Sequence, residues 1–103
     1  MNTLLLTPWP GSDPPTKATL IQLCAQEGLN PYQWSNGPND VYSAHKHSSD
    51  KVIYVVTGSI TFGLPEEERE ILLNAGDRIE LPADTVHNAV VGPQGVTCLE
   101  AHL

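Results

Sequence analysis

The chain has 103 residues and a formal net charge of −7, with five Lys and Arg against twelve Asp and Glu. That length gives one domain with one core and leaves no room for a second. So few cations, none of them clustered, exclude a binder of phosphate backbones, so nucleic acid is not an expected partner.

Leu4-Leu5-Leu6 is a short apolar run, cut off by Pro8 and Pro10. It is too short for a secretory h-region or a membrane span, so a cytoplasmic protein without a membrane partner is expected. Cys24 and Cys98 are isolated and sit among apolar neighbours. They are expected as buried free thiols of a reducing compartment.

In chain order, residues 2–7 read as a short edge strand or an arm over a partner, and residues 8–15, rich in proline, as an irregular connector. One helix follows. Asp13 or Thr16 can cap it, and Leu20, Ile21, Leu23 and Cys24 form its apolar stripe. Gly28 suits the left-handed C-terminal position, Leu29 can fold back on the last turn, and Pro31 blocks continuation. A short helix with a single stripe should pack against the outside of a sheet.

Everything after residue 31 reads as β. Strands are expected at 32–34, 41–47 and 51–57, the last joined by a two-residue hairpin at Gly58-Ser59 to a strand at 60–64. Residues 65–70, four glutamates with one arginine and a proline, form a solvated loop tip. Further strands are expected at 71–73, 78–81, 86–91 and 96–102, with turns at Asn74-Ala75-Gly76-Asp77, at 82–85 and at Gly92-Pro93-Gln94-Gly95. Many short strands with frequent turn signals mean an all-β sandwich or small barrel, and the single early helix excludes a βαβ arrangement.

The residues that carry chemistry are His45-Lys46-His47 and His87. Two histidines one residue apart on a strand face the same way, and a closed sheet would bring the third to them. At these residues the chain resembles the cupin family, double-stranded β-helix (jelly-roll) barrels. Gly37, His45, His47 and Gly58 match the family's first motif, and Gly76, Pro82 and His87 match its second in spacing. Asp84 stands where the inner glycine of the second motif usually lies, a substitution compatible with a left-handed turn. The resemblance implies a single cupin domain over 1–103, with an N-terminal strand and helix arm at 1–31 and the barrel at 36–102. It also implies that His45, His47 and His87 are metal ligands and that two copies pair through their N-terminal strands.

Two positions depart from the family pattern. Lys51 occupies the place of the usual metal-binding glutamate, and Val91 that of an asparagine. Lys51 shares strand parity with Ile53 and Val55, which points it into the barrel. Three neutral imidazoles suit Zn, Mn, Fe or Ni, with open positions for water or substrate. A protonated lysine beside a dication costs Coulomb energy, so a negative charge is needed opposite it. An anionic ligand could supply that charge. Asp50 could replace the missing glutamate if a bulge shifts the strand by one residue, and Glu100 is the best candidate to pair with Lys51 if the face it shares with Cys98 and His102 lines the barrel. Glu80 is expected to face outward, and His102 to fray or pack at an interface.

Three functions remain open on this reading. The first is a metal site acting on a small anionic metabolite, with Lys51 as its catalytic acid, base or oxyanion partner. The second is a non-catalytic module that binds or senses a metal or small anion. The third is a metal-free barrel. A homodimer is expected because the N-terminal strand and the helix need covering.

Overall fold

The computed structural model describes residues 4–103. Seven strands and one helix follow in the order β1 (Leu5–Thr7), α1 (Lys17–Gln26), β2 (Tyr32–Asn36), β3 (Val41–His45), β4 (Lys51–Leu64), β5 (Arg69–Asn74), β6 (Arg78–Leu81) and β7 (His87–His102). Residues 2 and 3 of the expected first strand lie outside the described residues.

The helix starts where side-chain chemistry allows. Of the two candidate caps, Thr16 takes the role, its Oγ1 accepting from the Thr19 N–H at 3.1 Å. At the other end Gly28 has φ +73°, and the Leu29 N–H returns to the Cys24 carbonyl at 2.9 Å.

Two long strands, β4 and β7, pair antiparallel and run through both halves of the barrel. The first half of β4 pairs with β6, which carries β1 on its other edge, while the second half pairs with β5. β7 is flanked by β2 along 96–100 and by β3 near its start. All of these pairings are antiparallel, so the all-β jelly-roll expectation holds.

β4 is apolar from Val52 to Val56 because both of its faces are covered. Ile53 and Val55 point into the barrel core with Ile60, Phe62, Leu64, Leu73, Ile79 and Cys98. Val52, Tyr54 and Val56 point outward and, with Leu99, receive Leu20 and Cys24 of α1. The helix therefore packs on the outside of the sheet, as its single stripe requires. Both cysteines are buried and free, and burial pushes the Cys98 thiol up to about 12.

Two expected turns are not turns. The chain does not reverse at Gly58-Ser59 or at Gly92 to Gly95; β4 and β7 each continue through these points with register shifts between Val55 and Thr57 and between Gly58 and Ile60. Gly58 has φ +78°, and a Cβ there would fall onto the Gly95 carbonyl. The glycines permit close approach at a bulge, where the strands bend from one half of the barrel into the other. A Gly58→Ala variant should therefore lose more than about 2 kcal/mol, from left-handed strain and the backbone clash together. Urea denaturation should read this as a lower midpoint with an unchanged slope.

Candidate metal centre

β3 ends at His45 and β7 begins at His87, and the two residues are register partners. His47 lies just beyond β3 rather than on it, so strand parity alone does not orient it. The Asp84 N–H nevertheless donates to the His47 carbonyl at 2.7 Å, tying this stretch to the loop ahead of His87. Asp84 has φ +63°, the left-handed geometry expected of it.

The three rings converge. Their centroids lie 4.3 Å (His45 and His87), 4.9 Å (His45 and His47) and 5.3 Å (His47 and His87) apart. One nitrogen from each falls within 4.8 Å of the others. Nδ1 of His45 lies 2.7 Å from the Ser43 carbonyl oxygen, and Nδ1 of His87 lies 2.9 Å from that of Thr85. A carbonyl can only accept, so each Nδ1 carries the proton and a neutral ring leaves its Nε2 lone pair free. Backbone carbonyls that fix the ring tautomer are the usual outer support of ligating histidines. The donor set therefore fits a divalent transition metal. Bonds of about 2.0–2.1 Å would draw the nitrogens closer together.

Burial, with the Lys51 charge next, holds the His47 imidazolium below its ordinary pKa. Burial does the same at His87, against the opposing hydrogen bond to Thr85. Both shifts favour the neutral, ligating form. They also stabilise the fold at neutral pH. Because the unfolded chain takes up protons near the ordinary value of 6.5 and the native rings do so only at lower pH, stability is present above 6.5 and falls as pH drops through the native values. Urea unfolding of metal-free protein should show a lower midpoint at pH 5.5 than at pH 7.5, and a His47→Gln/His87→Gln variant should flatten that difference.

Lys51 opens β4 and faces the same cavity, as its parity predicts. Its Nζ donates to Oε2 of Glu100 at 2.9 Å, and both side chains are largely buried. The Tyr32 hydroxyl donates to the same oxygen, and the Trp34 indole N–H to Oε1 at 3.1 Å. Burial alone would raise the Glu100 pKa. The hydrogen bonds from Tyr32 and Lys51, the ammonium charge and the Trp34 bond outweigh it and hold the carboxyl below its ordinary value. The same contact pushes the Tyr32 hydroxyl up to about 12, after burial as the first cause.

The charge opposite Lys51 therefore comes from Glu100. Asp50 does not supply it, because its carboxylate accepts from the Ala83 N–H at 2.7 Å in the turn after β6 and does not line the cavity. Glu80 pairs with Arg78 on the outer face, and His102 meets the Ser49 hydroxyl, apart from the histidine cluster. The cavity holds about 210 Å³, with Tyr32, Trp34, Tyr42 and Phe62 among its walls, while Tyr54 faces outward and bonds Glu27. Tyr32 is the residue that sequence reasoning passed over. It shares β2 parity with Trp34, and its register partner is Glu100.

No protein-family model matches the sequence. No curated protein matches it either. Solved structures do. A cupin superfamily protein from Desulfitobacterium hafniense is similar over 99% of this chain and 78% of its own, at 17% identity and a TM-score of 0.63. The chain has the cupin fold. A second similar structure, a DUF861 family protein from Thermotoga maritima, matches at TM-score 0.65 and 12% identity, covering 98% of this chain and all of its own. A third is the polyketide cyclase RemF from Streptomyces resistomycificus, at TM-score 0.61 and 26% identity, covering 76% of this chain and 58% of that one. The pairing of β3 with β7 is what sets His45 opposite His87 in the cavity wall. Among the described residues no helix is long and apolar enough to cross a membrane.

Proposed function

We propose that this cupin barrel holds one divalent transition-metal ion, Zn, Mn, Fe or Ni, on His45, His47 and His87, and uses it with Lys51 to bind and transform a small anionic metabolite. The observation that carries the reading is the convergence of three imidazole nitrogens within 4.8 Å in the cavity that also contains the Lys51–Glu100 pair. Bound there, a divalent ion would supply Lewis acidity toward a carbonyl or carboxylate oxygen.

The chain's own residues do the rest. Lys51 directs N–H groups at an oxygen of the ligand, and Glu100 holds its ammonium in place. Trp34, Tyr42 and Phe62 give the cavity apolar walls, which strengthen the polar contacts made against them. A volume of about 210 Å³ is below the range of about 300–1,000 Å³ typical of drug-sized ligands and suits a compact metabolite. RemF acts as a polyketide cyclase. Its likeness supports chemistry in such a barrel by analogy of fold and carries no substrate across.

A binding module without turnover is the second reading. It is favoured by Lys51, whose ammonium is already engaged by Glu100 and is not free to act as a base. The deciding experiment is titration of metal-free protein with Zn, Mn, Fe and Ni, followed by elemental analysis. One ion per chain is the expected result, and no uptake of any of the four would sink the proposal. Turnover of keto acids or enols by the loaded protein then separates the enzyme from the binding module.

The proposal includes a homodimer. β1 finds its partner in β6 of the same chain, which leaves its other edge for a second copy, and Leu5 on it is exposed. Light scattering should give twice the 11.2 kDa mass of the chain.

A further inference from the structure

A carboxylate stands beside the three imidazoles without joining them. Among the described residues Glu100 is the one acid in the cavity wall. After burial, the charges of Lys51 and Glu100 both act on the rings of His47 and His87, so the ion pair and the histidines share one neighbourhood. Yet the group of donor atoms lying within 4.8 Å of one another contains the three histidines and not Glu100. What holds the carboxylate back is on its own oxygens. Oε2 accepts from the Lys51 ammonium at 2.9 Å and from the Tyr32 hydroxyl, and Oε1 accepts from the Trp34 indole at 3.1 Å. Tyr32 and Trp34 are neutral donors on β2, whereas Lys51 brings a full charge from β4. Of the three, the ammonium is the strongest competitor with a metal ion for this carboxylate.

We infer that Lys51 withholds Glu100 from the metal, and so keeps a three-nitrogen site that takes Zn, Fe or Ni in preference to Mn. This deepens the proposed function and rests on its metal ion. Imidazole suits Zn, Fe and Ni, whereas Mn favours carboxylate and water oxygens. A carboxylate among the ligands would offset one charge of the ion. Withheld, Glu100 offsets the lysine instead, and the ion meets no anionic protein ligand. Lys51 is thereby the residue that sets metal selectivity, and Glu100 is a ligand in reserve.

The test titrates metal-free protein with Zn and with Mn against a chromophoric chelator, with elemental analysis of the same samples. Lys51→Met frees the carboxylate for the ion, so Mn affinity should rise and the Zn-to-Mn affinity ratio should fall at least about tenfold. Lys51→Met/Glu100→Gln has no carboxylate to release, and its ratio should stay within about twofold of wild type. Glu100→Gln should weaken both ions and keep the ratio, because it leaves the Lys51 charge unopposed but removes no ligand. If Lys51→Met does not fold, Lys51→Gln, which keeps a donor to Glu100 but no charge, takes its place with the same expected fall. An ion pair that acts through charge alone would raise both affinities alike in Lys51→Met, and that unmoved ratio would overturn the inference. A ratio that rises in Glu100→Gln would overturn it too, since Glu100 would then already be a ligand. Zn bound with an unmoved ratio overturns this inference alone, whereas no ion bound by wild type overturns the metal site with it.

Discussion

His45→Ala is expected to weaken metal binding by at least about 100-fold, measured by competition against a chromophoric chelator. Losing a group that only supports a ligand already costs about 10–100-fold, so losing one of three ligands sets a floor near the upper end of that range. His87→Ala should do the same, because its Nε2 is freed for ligation in the same manner, by the Nδ1 bond to Thr85. His102→Ala should leave affinity unchanged, since that imidazole lies by Ser49 and outside the cluster. The metal should also raise the stability of the native protein by binding the folded state alone, and the His45→Ala protein should lose that concentration-dependent gain in Tm. Equal affinity in wild type and His45→Ala would place the ion elsewhere.

Lys51→Met carries the second large effect, on stability. Glu100 is 8% exposed and keeps only Tyr32 and Trp34 once the ammonium is gone. Breaking one side of a buried ion pair costs about 3–5 kcal/mol, because the stranded charge stays desolvated. At roughly 4–8 °C per kcal/mol for a domain of this size, Tm should fall by more than about 10 °C. Lys51→Met/Glu100→Gln should regain most of the loss, since it removes both charges together. The native carboxyl pKa is held below its ordinary value, so the pair's contribution is present above about 4.5 and is lost as pH falls through the native value. The gap between wild type and Lys51→Met should accordingly narrow as pH approaches 4. A gap that stays constant from pH 7 to 4 would mean that Glu100 is not the group being stranded.

Much of this was legible in residue order because it is local. The alternation along Lys51 to Val56 sets two faces two residues apart, so Lys51 had to follow Ile53 and Val55 inward whatever the strand paired with. Thr16, Gly28 and Leu29 bound the helix through contacts within one turn of its ends. The three histidines carry spacing that a barrel turns into a cluster. Gly58 and Gly92 to Gly95 misled for a related reason. A glycine with positive φ has the same signature in a hairpin and in a bulge, and only the partner strand tells them apart.

The sequence by itself therefore determined an all-β barrel with one external helix, three candidate ligands and a lysine aimed at them. Only the tertiary structure decided which acid answers that lysine. Asp50 needed a bulge to reach the site, and Glu100 was the candidate to pair with Lys51 if its face lined the barrel; residue order does not show whether that condition is met. The choice is made by non-local pairing. β7 places Glu100 opposite Ile53 on β4 and opposite Tyr32 on β2, within reach of Lys51, while the loop before β4 turns Asp50 to the Ala83 N–H. A charge is satisfied by whatever lies within about 3 Å of it, and across a sheet that neighbour comes from strand register, not from chain order.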